Sequence, residues 1–187
     1  MKMSISAKTA LGAMLTALSV VILIPSALEV FVYTLPAFAG MLTMFAVVEL
    51  DKKWALGIYA ATSLIGLLLV PNKEAVVYYV AFFVYYPVIK ALFESRLPRT
   101  LEYVLKFIVF NVSVLAAGAV MIYIFGMPYE QLLGIDGESA FFAKYALPIM
   151  LALGNIVFIV FDVALTRLVT AYVLVWQKRF RRLFRFN

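Results

Sequence analysis

The chain has 187 residues, of which 66% are hydrophobic and only 14% charged, with a mean hydropathy of +1.04. A soluble domain carries roughly 25% charged residues, so a water-soluble fold of this length is excluded and lipid is the implied solvent. The net charge of +6 comes from Lys and Arg set between apolar runs, which signals membrane topology rather than nucleic-acid binding, and the absence of Cys and His excludes disulfides, thiolate catalysis, zinc fingers and His-ligated haem.

Lys2 and Lys8 precede an uncharged stretch from Thr9 to Leu28. It is longer than the roughly 7–15 apolar residues of a secretory signal, and Ile24-Pro25-Ser26 is a poor cleavage site, so it reads as an uncleaved first helix. Six segments reach the roughly 20 apolar residues a membrane helix needs: 8–27, 31–50, 54–71, 74–93, 104–126 and 145–176. The second and third are joined by Asp51-Lys52-Lys53. Pro71-Asn72 closes the third, and Pro87 is expected to bend the fourth. Lys90 has a stem long enough to snorkel to headgroups. The sixth is too long for a simple span and is expected to tilt, bend or project.

The expected fold is all-α: a polytopic membrane protein forming one six-helix transmembrane domain with both termini inside. With the N-terminus inside, Lys73 and Lys144 are the only Lys or Arg on outer segments, Arg167 lies within the last helix, and the others fall on inner segments. The long outer loop 127–144 carries Leu132, Leu133, Phe141 and Phe142, which suit either a membrane-lying segment or a cavity lid. The tail Gln177–Asn187 alternates bases with Phe and Leu, as an anchor to anionic lipid or a docking surface does.

Polar residues in and around the apolar segments are the candidates for function. At the outer ends, Glu29 and Tyr33 mark the first turn, and Asn72, Lys73, Glu74 and Tyr78 mark the second. Aromatic walls with a few placed polar groups suit a small molecule, although interfacial Tyr and polar turns are also ordinary in membrane proteins. Asn155, Asp162 and Thr166 fall on one stripe of the last helix. Asn155 is expected in its outer half, within a ligand's reach. A carboxylate such as Asp162 is costly in lipid, and it serves either function or a structural bond to Thr166, Asn111, a Tyr or Arg167. Asn111 is expected on the inner side as a helix-packing group. Ala10, Ala13 and Ala17 share one face of the first helix, where small residues allow close backbone approach either within the bundle or to a partner. No G-x-x-x-x-G-K-[ST] or H-E-x-x-H motif occurs. No nucleophile, base and metal set is present either, so the chain is not expected to be an enzyme or to hold a metal or cofactor.

In size and layout, and in its Ala13-Met14-Leu15-Thr16-Ala17 segment, the chain resembles the substrate-binding S component of an energy-coupling factor (ECF) transporter. The resemblance implies that Ala10, Ala13 and Ala17 dock a shared transmembrane coupling subunit carrying two ATPase subunits. It also implies that a vitamin-like or other micronutrient metabolite, nucleobase-like ones included, is captured from outside and released inside when the S component topples in the membrane. Glu29, Tyr33, Asn72, Lys73, Glu74, Tyr78 and Asn155 are then the expected ligand residues. Lys73 would meet a carboxylate or phosphate, and Tyr33 and Tyr78 would stack on a ring. A stand-alone secondary carrier using Asp162, or a non-transporting envelope scaffold or assembly protein, are the alternative readings.

Overall fold

In a computed structural model, the described residues are 4–28, 31–135 and 140–177, with only the backbone described at 140–143. They are helical and turn-linked, with no strand among them. Helix α1 runs Ile5–Leu23, capped by the Ser4 hydroxyl accepting from Ala7 N, and continues as a 3-10 turn Ile24–Ala27 that starts beside Pro25. Helices α2 (Thr34–Glu49) and α3 (Lys52–Leu69) are joined at Asp51, whose carboxylate accepts from the backbone N–H groups of Lys53 and Trp54 and so caps α3.

The fourth segment runs as one span, Lys73–Arg96, but its irregularity is a π turn ahead of Pro87 rather than a bend at it. Helix α4 (Lys73–Tyr78) passes into a π turn, Tyr79–Phe83, and then into α5 (Tyr86–Arg96). The interruption precedes Pro87, which sits in the first turn of α5, where its missing N–H costs little. In the π turn Val84 N donates to Tyr79 O, five residues back, at 3.2 Å. Gly40 of α2 packs against this widened turn, and a β-carbon there would collide with the Phe83 carbonyl oxygen.

Helix α6 is Arg99–Tyr123, α7 is a short Tyr129–Leu133 ending on Gly134 in the left-handed region, and α8 is Ala140–Ala171, continued by a π turn Tyr172–Trp176. Pro148 lies inside α8. Among the described residues, four helices are long and apolar enough to cross a membrane: Ile5–Ala27, Lys73–Arg96, Arg99–Tyr123 and Lys144–Trp176. This is fewer than the six expected. At 16 residues α2 is about 24 Å long, short of the ~30 Å hydrocarbon core, and α3 opens on Lys52 and Lys53.

Helices α1, α2 and α3 pack side by side around Leu11, Leu15, Ala46, Leu50, Ala55 and Ile58. The segment Lys73–Arg96 is held between α2, α3 and α6. A second core joins Met44, Phe82, Tyr86, Phe110, Phe158, Phe161 and Leu165 from α2, the π turn, α5, α6 and α8. Outward sides are strongly apolar: Ile149, Ile156, Val160 and Val163 of α8 are all exposed. Such a continuous surface is a liability in water and ordinary in lipid.

Candidate functional site

The turn between α3 and α4 is built from local hydrogen bonds. Asn72 caps α4, its Oδ1 accepting from Ala75 N at 3.1 Å. Lys73 Nζ donates to the carbonyls of Leu67 and Val70, each at 2.8 Å, satisfying the carbonyls left over where α3 ends. Lys73 is therefore first a helix cap. Two of its three N–H donors are occupied, which limits the anion-pairing role the sequence suggested. Across the mouth, Tyr33 just before α2 donates to Glu74 Oε1 at 3.0 Å and meets Tyr78 edge-on at 5.0 Å between ring centroids. The two tyrosines thus pack on each other. Among the described residues, the Tyr78 hydroxyl is buried and has no hydrogen-bond partner.

Tyr33, Asn72, Lys73, Glu74 and Tyr78 all line one cavity of about 1060 Å³. Met127, Gln131, Leu132 and Leu133, from the start of the expected loop and from α7, close over part of it. The deeper wall is aromatic and thioether: Phe82, Phe83, Phe110, Phe158 and Phe161, with Met121 and Met150. Phe110 and Phe158 stack at 4.8 Å, and Phe82 meets both at 5.2 and 5.8 Å. Ring pairs of this kind are each worth about 0.5–1.5 kcal/mol beyond their buried area, so this wall is a rigid surface. Polar groups gather at the rim and apolar ones fill the depth.

Beneath the aromatic wall lies a charge cluster that the sequence did not reveal. Phe82 is 4.8 Å from Tyr86 between ring centroids, and Tyr86 Oη donates to Asp162 Oδ1 at 2.5 Å. Lys90 pairs with the same Asp162 oxygen and with Glu94 at 2.7 Å. Lys106 pairs with Glu102 at 2.6 Å, Glu94 at 2.9 Å and Asp162 at 3.4 Å. Lys90 and Lys106 are 0% and 2% exposed, which corrects the expectation that Lys90 snorkels outward. Burial in apolar surroundings makes an unpaired ammonium prohibitive, so both lysines turn inward to the carboxylates. Only the i,i+4 pairs Lys90–Glu94 and Glu102–Lys106 leave a trace in the sequence. Of the partners considered for Asp162, a tyrosine is present. Thr166 donates instead to the Asp162 backbone carbonyl at 3.0 Å, and Arg167 is exposed.

Asn155 is not among the residues lining the cavity. It forms a reciprocal amide pair with Asn111: Asn111 Nδ2 donates to Asn155 Oδ1 at 2.9 Å and Asn155 Nδ2 donates to Asn111 Oδ1 at 3.0 Å. The remaining donors go to the carbonyls four residues earlier, Phe107 and Leu151. These two residues, expected in opposite halves of the bundle, lie side by side, because each sits near the middle of its helix once α6 and α8 start earlier than expected. Both amide groups are spent on holding α6 to α8, the use polar side chains find between helices in lipid. Glu29 lies outside the described residues. Ala10, Ala13 and Ala17 lie on the exposed side of α1, together with Met14, Leu18 and Val21. Among the described residues no group of three or more His, Cys, Asp or Glu side chains is arranged to hold a metal ion.

The chain matches no protein-family model, no curated protein and no solved structure.

Proposed function

We propose that this chain is the substrate-capture subunit of an ECF-type importer. In this reading it is a six-span, N-in, C-in bundle in the cell membrane that takes a small micronutrient from outside and delivers it through a coupling subunit and two ATPase subunits. The observation that carries the reading is the cavity of about 1060 Å³, lined by the rim residues of two turns that the basic-residue distribution assigns to the outer face. The six-span count is supported by packing: α2 and α3 lie along α1 through shared buried contacts, and a bilayer accommodates short helices by local thinning at modest cost. The docking role is supported by the exposure of Ala10, Ala13 and Ala17 on one side of α1.

The distribution of polarity narrows the ligand. A nucleobase carries hydrogen-bonding groups around its whole edge, and those facing the Phe110 and Phe158 wall would go unpaired, which is costly in a buried site. An apolar or aromatic body with its polar group at one end fits better, the body against the phenylalanines and the polar end near Asn72, Lys73 and Glu74. The stand-alone carrier is less well supported, because the Asp162 carboxylate it would use for ion coupling is already engaged by Lys90, Lys106 and Tyr86.

The test is mass spectrometry of small molecules retained by gently purified protein, followed by identification of co-purifying subunits. One enriched non-lipid compound with a one-ended polar group, lost from a Phe158→Ala variant, is expected, together with co-purification of ATPase subunits. Retention of lipid alone, unaltered by Phe158→Ala, would remove the basis for a capture role.

A further inference from the structure

Helices α2 and α8 touch at one end and part at the other. At the Glu49 end, Phe45 meets Tyr172 edge-on at 4.8 Å between ring centroids, and Gln177 donates to Glu49 at 2.8 Å. Met44 of α2 shares a core there with Phe161 and Leu165 of α8. Phe38 lies about two helical turns before Phe45, so it points to the same side of α2. Yet Phe38 is 58% exposed, and Thr34, one turn earlier on that stripe, is exposed too. The face of α2 that α8 covers at one end is therefore uncovered at the end where the cavity rim lies. On the other bank, Leu153 and Val157 of α8 line the cavity but are 58% and 66% exposed. That matches the outward-facing Ile156 and Val160, at 60% and 64%, whereas the cavity-lining Phe158 and Phe161 of the same helix are buried. The cavity and the lipid-facing side of α8 thus run into one another along Leu153 and Val157.

We propose that the cavity opens sideways into the bilayer between the Thr34 end of α2 and Leu153 and Val157 of α8, and that it takes a single-chain amphiphile whose hydrocarbon chain enters by this slot. Phe38, Leu153 and Val157 are apolar residues of apolar helices, so bilayer hydrocarbon reaches the slot. A compact polar solute would shed its hydration to cross such an entry. A hydrocarbon chain sheds none, because lipid tails are as apolar as the residues that replace them. Inside, the chain packs on Phe110 and Phe158 while the polar end meets Asn72, Lys73 and Glu74 at the rim. The proposal rests on the cavity being the capture site, and it adds the route and the class of guest. A captured guest has to leave the bilayer, so a host phospholipid, with a second chain and a head group held in the leaflet, is not the occupant.

The test uses the full chain in phosphatidylcholine vesicles that contain dodecanoic acid carrying a diazirine at the chain end. After photolysis, mass spectrometry should find label on Phe110, Met121 or Phe158 in the cavity, besides the outward Ile156 and Val160 that any bilayer probe reaches. Val157→Trp narrows the slot at an exposed position that folding tolerates, and it should abolish the cavity label while the outward label stays. Label confined to the outward residues, or cavity label unchanged by Val157→Trp, overturns the proposal. So does equal cavity labelling from a diazirine-bearing phosphatidylcholine, which would mean that host lipid fills the slot. The lateral route and the importer reading fail separately. A water-soluble compound retained by the purified chain and lost from Phe158→Ala, with no cavity label from the fatty acid, ends the lateral route and leaves capture standing. Cavity label that Val157→Trp removes, with no ATPase subunits co-purifying, keeps the slot and ends the importer reading.

Discussion

At the scale of single residues, the protein spends its buried charge on structure. Lys106 meets three carboxylates and Lys90 two, and both cations are almost wholly removed from solvent. Removing one partner from a buried ionic network leaves the others uncompensated, at a cost of about 3–5 kcal/mol. Lys106→Met should therefore destabilise the protein by that amount, and more than Lys90→Met, because it takes from Glu102 the one lysine that reaches it, whereas after Lys90→Met all three acids still meet Lys106. Thermal unfolding of the two variants in the same detergent checks the ranking. Equal or negligible losses would mean that water or lipid headgroups, not these lysines, satisfy the acids. The residues of this cluster were individually visible in the sequence as charges near apolar runs, but their convergence was not. It depends on α5, α6 and α8 meeting at one depth, which no local pattern encodes. Asn111 and Asn155 were misplaced relative to each other for the same reason.

At the scale of elements, the rods were legible and their interruptions were not. Hydropathy over a 20-residue window responds to a helix's length and solvent, so the six segments appeared within a few residues of their observed positions. It does not respond to a change from α to π pitch, which moved the expected bend from Pro87 back to Tyr79–Phe83. The signal that could have located it is Gly40, whose missing side chain makes room for the Phe83 carbonyl. Gly40→Ala should force α2 and the π turn apart and cost about 1–3 kcal/mol, as overpacking does; denaturation monitored by circular dichroism measures it. The turn before α3 makes a second prediction. The Asp51 carboxylate is held below its ordinary range by the Trp54 backbone N–H above all, with further help from Lys8 at 3.4 Å and the Lys53 N–H. Its contribution is thus fully present above an unfolded-state pKa of about 4 and is lost as pH falls through the lower folded value. Asp51→Ala should cost about 1 kcal/mol at neutral pH, the usual worth of an N-cap, and the difference from the parent should vanish in strong acid.

At the scale of the molecule, the arrangement is layered along the bundle axis: a polar rim, a cavity with an aromatic wall, and beneath it a cluster of two buried lysines with carboxylates, of which Glu94 reaches the surface. The rim was the part of the candidate site most legible in sequence. Tyr33, Asn72, Lys73, Glu74 and Tyr78 stand at the ends of apolar segments, and antiparallel helices joined by short turns bring such ends together. The lining contributed by Phe110, Phe158 and Phe161 was not legible, since phenylalanine in a membrane helix packs against lipid and protein alike.

The orientation of this layered bundle is the claim on which capture from outside depends, and the chain's lack of cysteine makes it directly measurable. Single cysteines at Gln131, on the cavity lid, and at Ser95, at the charged end of α5, are both exposed positions. With a membrane-impermeant thiol reagent on intact cells, Gln131→Cys should label at once and Ser95→Cys only after the membrane is opened. Labelling of Ser95→Cys on intact cells, with Gln131→Cys protected, would turn the cavity inward and contradict the account.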